Sequence, residues 1–231
     1  MDIDKVCILG AGLAGISAAI ELAKNGIGCR LVSQQPSERA QSVLAEGGFN
    51  AALDTMGEGD CPQMHFEDTM RGGCGLADPN AVMDLVNAAP ELALWLACIG
   101  TPFAAKQDGS LMLRNFGGQK KKRTAYAMSS TGKVIMTALI DELRKYEACG
   151  LVERYSRHEA ASFGIEDGKC LFVDIHDLYT DELIRLPGPV IAACGGLGGL
   201  FSGCTTGTVC NNANVQSLLF AAGAEFGNLE M

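Results

Sequence analysis

The chain has 231 residues, 48% of them hydrophobic and 19% charged, a balance that excludes a disordered polypeptide and suffices to bury a core as one large domain or two small ones. A formal net charge of -9 excludes nucleic acid as the main partner, because phosphate binding needs clustered positive charge. No apolar run is expected to span a bilayer, the longest candidates near Val190 and Leu218 being interrupted, and the amino end MDIDKVCIL lacks an export signal, so a cytoplasmic chain without direct membrane insertion is expected.

Val6 to Leu9 is an apolar run that stops at Gly10, and Leu13, Ile16, Ile20 and Ala23 then recur at helical spacing until Asn25-Gly26 supplies a stop. Gly10, Gly12 and Gly15 therefore fall where a strand turns into a helix. Gly10 suits the tight turn, Gly12 the close approach of a pyrophosphate, and Gly15 the packing of helix onto strand. Gly10, Ala11, Gly12, Leu13, Ala14 and Gly15 are expected to present backbone amides to phosphate at a helix amino end. A second strand at Cys29 to Val32 completes the unit, but Ser33-Gln34-Gln35 stands where an acidic residue usually grips a ribose hydroxyl. Ser33 and Gln34 are kept as ribose candidates; Glu38 is an acidic substitute that reads better as a surface loop residue.

Farther along, Asp78-Pro79 caps a helix through NAVMDLVNAA, and Pro90 is expected to begin a second, short one containing Trp95, read as core, and Cys98. The basic run KKKR, Lys120 to Arg123, reads as a solvated loop. GKVIMTALIDELRKYEACG is amphipathic, with Ile135, Leu139, Leu143 and Tyr146 on one face and Gly150 as its stop. Segments near Ala161 to Ile165, Cys170 to Leu178 and Leu183 to Leu186, separated by turns at Asp167-Gly168 and Thr180-Asp181, predict an antiparallel meander. Val190 to Ala193 is a buried strand entering a second glycine-rich turn at Ala193, Cys194 and Gly195.

The ten cysteines include no CxxC pair and read as reduced, buried small hydrophobes; with His65, His158 and His176 scattered, neither a metal site nor an iron–sulfur cluster is expected in this chain. The predicted fold class is α/β, a Rossmann-like FAD-binding domain of glutathione-reductase type, with a central parallel sheet and an antiparallel β-meander. A meander returning to the nucleotide sheet suits FAD better than repeated strand–helix units would.

LAEGGFNAAL, read with GAGLAG, FGGQKKKRTAYAMSSTG, GPVIAACGGLGG and TTGTVCNN, makes the whole chain resemble the amino-terminal FAD-binding part of fumarate reductase and succinate dehydrogenase flavoproteins, with L-aspartate oxidase as a relative. The resemblance implies that Ala45, Glu46, Gly47 and Gly48 line the flavin ring with backbone amides near its reactive edge, and that Gln41 and Ser42 lie on its methyl side. It further implies flavin hydride transfer between succinate and fumarate in a full-length parent that binds a small dicarboxylate and, at the inner membrane face, docks an iron–sulfur subunit.

Many members carry histidine, covalently joined to flavin, where this chain has Gln41, so non-covalent FAD is expected, with a lowered potential that favours fumarate reduction. A TGDG pattern is replaced by Asn212-Ala213-Asn214-Val215; Asn214 is kept as a cofactor residue, while the bulk of Val215 is expected to weaken FAD binding. The family's substrate histidine and the arginine of its capping domain would follow Met231. An incomplete FAD-binding domain over residues 1–231, inactive by itself, is therefore expected. The alternatives are an L-aspartate oxidase-type flavoprotein and a catalytically inactive flavin-binding fragment.

Overall fold

The computed structural model describes residues 5–201, 203 and 207–227. In chain order it contains β1 (Val6–Leu9), α1 (Leu13–Lys24), β2 (Cys29–Ser33), β3 (Phe49–Asn50), α2 (Pro62–Gly72), α3 (Pro79–Cys98), β4 (Leu113–Arg114) and β5 (Thr124–Ala125). Then come α4 (Thr131–Ala148), β6 (Val152–Ser156), β7 (His158–Glu166), β8 (Lys169–Asp177), β9 (Leu183–Pro187), β10 (Val190–Ala192) and α5 (Asn214–Ala221). Two compact units result, one from Met1–Ser42 with Leu139–Met231 and the other from Val43–Ala138.

The first unit is built on a parallel sheet of order β10-β1-β2-β6, as the apolar runs of β1 and β2 require if both faces are to be covered. Alternation along β1 sends Cys7 and Leu9 to one face, where they pack with Val32, Ala160, Val173, Ile175, Leu186 and Val215. Ile16, Ala19, Ile20 and Ala23 form the buried stripe of α1. β7, β8 and β9 make the expected antiparallel meander.

β6 was not expected, because VERYS alternates charge with aromatic rather than apolar residues. Its Glu153 pairs with Lys5 at 2.5 Å and Arg30 at 3.6 Å, which allows a charged strand to sit beside β2. α4 ends as expected at Gly150 (φ +74°), where Leu151 N–H donates to the Tyr146 carbonyl at 3.0 Å.

The second unit combines α2, α3 and a small antiparallel sheet of order β3-β5-β4. α3 is one continuous helix of 20 residues with Pro90 inside it, correcting the expectation of two helices. The Asp78 carboxylate accepts the Asn80 N–H at 2.9 Å, and Val82, Val86, Ala89, Ala93 and Leu96 are buried on one stripe; this packing outweighs the backbone bond Pro90 removes. Among the described helices, α3 is long and apolar enough to cross a membrane by length and composition, which also corrects the expectation that no such run exists.

Two further readings change. The basic run is not a solvated loop: Lys121 Nζ donates to the Glu58 carbonyl, Lys122 pairs with the Glu58 carboxylate at 3.1 Å, and Arg123 is wholly buried. The cysteines are not uniformly buried either. Cys7 and Cys29 are; Cys61, Cys74, Cys98 and Cys149 are exposed, and all described cysteines are free thiols. Cys204, Thr205, Thr206 and the chain end near Leu229 lie outside the described residues.

Candidate cofactor site

At the end of β1 the backbone can do what it does only without side chains. Gly10 has φ +117°, and a Cβ there would collide with the Ala193 carbonyl; a Cβ on Gly15 would collide with the carbonyl of Gly10. At Gly12, the N-cap of α1, the nearest atom to an added Cβ is the Ser42 hydroxyl at 3.0 Å, with Ala40 Cβ beyond at 3.9 Å. Gly10 and Gly15 are demanded by the fold itself, whereas Gly12 borders a cradle that a methyl group would partly fill.

Ser42 Oγ accepts the Leu13 N–H at 3.1 Å, so Ser42 meets the helix amino end directly. No side chain caps α1 from its N-cap position and its first turn holds no acidic residue, which leaves the terminus suited to an external anion. Ala193 N–H donates to the Leu9 carbonyl at 2.8 Å, setting the second glycine turn beside the first. Gly195 has φ +77°, and its carbonyl accepts from Gln216 Nε2 at 2.9 Å. Burial raises the Cys194 thiol pKa, keeping it a neutral wall residue.

Gln41 Oε1 accepts the Thr208 N–H at 2.6 Å, and Gln35 Nε2 lies 2.8 Å from Cys210 Sγ. Asn214 opens α5, and its Oδ1 is buried with no hydrogen-bond partner in the protein, the state of an acceptor that a ligand would complete. The preceding Ala213 adopts φ +62°, a left-handed conformation natural to glycine. Val215 does not crowd the cofactor side as expected; it is 8% exposed and packs into the core with Cys7 and Leu9.

Ser33 Oγ donates to the Gln35 carbonyl at 2.7 Å, so its proton is committed to the turn. Glu38 pairs with Arg144 at 3.5 Å on the surface, as a loop residue would. Gln34 Nε2 donates to Glu159 Oε2 at 2.9 Å.

Ala45 to Gly48 belong to the second unit, and there three successive carbonyls are tied down. That of Ala45 accepts Gly132 N–H at 2.6 Å, that of Glu46 the Thr131 hydroxyl at 3.3 Å, and that of Gly47 Arg114 Nη2 at 2.7 Å. In a trans peptide the following N–H points opposite its carbonyl, so the amides of Glu46, Gly47 and Gly48 face away from these anchors. Gly48 has φ +127° and an added Cβ would sit 2.7 Å from the Ala125 carbonyl.

The anchoring arginine was missed in the sequence. Arg114 lies over the Tyr126 ring at 4.4 Å and near Phe116 at 5.8 Å, and its position two residues before FGGQ was the available signal. A separate polar cavity of about 250 Å³ in this unit is lined by Asn50, His65, Asp68, Arg71, Gln119 and Arg123, and contains none of the expected flavin residues.

The open Gly12 cradle, the uncapped helix terminus, the outward amides and the orphaned Asn214 oxygen fit a flavin dinucleotide. Fold and site together define a dinucleotide-binding protein of the doubly wound α/β class. The chain belongs to the FAD binding domain family, which it matches over residues 5–231, and its cofactor is FAD.

A succinate dehydrogenase flavoprotein from Bacillus subtilis (strain 168) is 36% identical over 232 residues, covering 100% of this chain and 39% of that protein. A CoM/CoB fumarate reductase flavoprotein relative from Methanothermobacter marburgensis is 33% identical, covering 97% and 41%. L-aspartate oxidase of Streptomyces coelicolor is 32% identical, covering 97% and 38%. The solved Mycobacterium smegmatis Sdh1 complex in the apo form superposes with a TM-score of 0.89 at 28% identity, over 95% of this chain and 38% of that one. The chain spans about two fifths of the length of these curated relatives.

Proposed function

We propose that this chain is the FAD-holding part of an oxidoreductase that interconverts succinate and fumarate. Its flavin, when bound, supplies the hydride chemistry. Gly10 to Gly15 and Asn214 hold the dinucleotide; Ala45 to Gly48 offer fixed amides to the ring edge, where backbone donors stabilise negative charge on reduced flavin. The observation that carries the reading is the row of carbonyls at Ala45, Glu46 and Gly47 held from behind by Gly132, Thr131 and Arg114.

FAD is bound non-covalently, since the Gln41 amide has no nucleophilic nitrogen comparable to imidazole. The lower potential that follows favours fumarate reduction. The whole protein takes a small dicarboxylate, works on the cytoplasmic side of the membrane and docks an iron–sulfur subunit; relatives named as succinate dehydrogenase and fumarate reductase support these roles. An L-aspartate oxidase activity is the second reading, supported by the Streptomyces coelicolor relative.

Acid precipitation of the yellow protein is expected to release FAD into the supernatant; colour retained in the pellet would contradict the non-covalent reading. Fumarate should rapidly reoxidise a dithionite-reduced protein that contains this chain within its full length. Flavin reduction by L-aspartate instead would select the oxidase.

A further inference from the structure

We infer that Glu159, on β7, is the acidic residue that grips the adenosine ribose of the dinucleotide, replacing the one missing from the end of β2. The inference rests on the FAD reading above. β2 and β6 run parallel, with Ser33 opposite Ser156, so their carboxyl ends stand side by side where an open α/β sheet receives its ligand. Arg157 then turns the chain in a left-handed conformation (φ +65°), and β7 begins at His158. This turn brings Glu159 back to the end of β2, where its Oε2 accepts from Gln34 Nε2 at 2.9 Å.

Competing groups are already engaged: Ser33 donates within its own turn, and Glu38 pairs with Arg144. Glu159 is not saturated. A carboxylate has about four acceptor positions. One is used by Gln34; His176 Nδ1, 3.8 Å from Oε1, is too far for a hydrogen bond and its ring is itself tied to Asp181 at 2.6 Å. The side chain of Glu159 is 28% exposed, so vicinal hydroxyls can reach its remaining lone pairs.

The test uses the FAD-loaded chain and its E159Q and E159A variants, with displacement of FAD by ADP and by 2′,3′-dideoxy-ADP followed by flavin fluorescence. The unsubstituted chain should prefer ADP roughly tenfold or more, as expected for hydrogen bonds to a charged acceptor. Both variants should bind FAD more weakly and lose most of that preference, while their circular dichroism stays unchanged. An undiminished preference in E159Q and E159A would overturn the role of Glu159 and leave FAD binding intact. Failure of the unsubstituted chain to bind FAD at all would overturn the parent reading, and this one with it.

Discussion

The backbone N–H of Thr208 donates to the side-chain oxygen of Gln41 at 2.6 Å, tying the segment after β2 to the stretch that leads into α5. The residue that elsewhere in the family carries the covalent flavin link is here a brace. Gln41→Ala removes one partly buried hydrogen bond, worth about 0.5–1.5 kcal/mol. FAD affinity, measured by fluorescence titration, should fall by roughly two- to tenfold, with the flavin still acid-releasable; unchanged affinity would show that the brace is dispensable.

Gly12 and Gly15 should respond differently to the same methyl group. In Gly15→Ala the new Cβ meets the Gly10 carbonyl, and the protein should lose stability by several kcal/mol or fail to accumulate. In Gly12→Ala it meets only the Ser42 hydroxyl, so circular dichroism and melting should stay near normal while FAD binding weakens by at least an order of magnitude.

Ala213 holds a left-handed backbone as the N-cap of α5. Replacing it by glycine relieves strain of about 1 kcal/mol, offset in part by greater freedom of the unfolded chain. Ala213→Gly should raise the thermal midpoint by a degree or a few (about 2–4 °C per kcal/mol), and calorimetry can detect it.

Arg123 is 0% exposed and forms a two-pronged contact with Asp60, at 2.8 and 3.1 Å, with Asp68 at 3.2 Å. Asp60→Ala would leave that charge buried with half its partners, a loss of about 3–5 kcal/mol. The expected fall in melting temperature is on the order of 10 °C. Lys122→Ala, at a half-exposed pair with Glu58, should change stability by less than about 1 kcal/mol.

Burial, with help from nearby Arg123, pushes the His65 pKa below its ordinary 6.5. The unfolded chain therefore binds a proton at this site before the folded one does, so His65 lowers stability as pH falls below 6.5 and levels off beneath its folded pKa. His176 works oppositely: chiefly its bond to Asp181 raises its pKa, giving stability that is present at low pH and lost as pH rises through the folded value. Comparing the parent with His65→Gln in chemical denaturation from about pH 7.5 to 5 should show a shallower acid loss in the variant.

Regular periodicity made β1, α1, β2, α4 and the meander readable, since each alternates or repeats its apolar residues over enough length to be distinctive. α2 escaped because PQMHFEDTMRG buries essentially His65 and is otherwise polar, and β4 and β5 because two-residue strands carry no period. Pro90 misled for a different reason: a single helix breaker was outweighed by the buried stripe from Val82 to Leu96. In the site, the glycines were legible because their backbone roles are local. Arg114 and Glu159 were not, because each reaches its partner through strand register, Arg114 across to Gly47 and Glu159 across to Gln34.

The order β10-β1-β2-β6 has a consequence for synthesis on the ribosome. β1 and β2 emerge first, but their outer neighbours are made only after the whole of Val43–Ala138 has been translated, β6 soon after and β10 later still. The nascent pair therefore waits with both flanks open to adventitious pairing. Pausing translation before Val190 should leave a nascent chain that recruits chaperones, and extending it past Ala192 should release them.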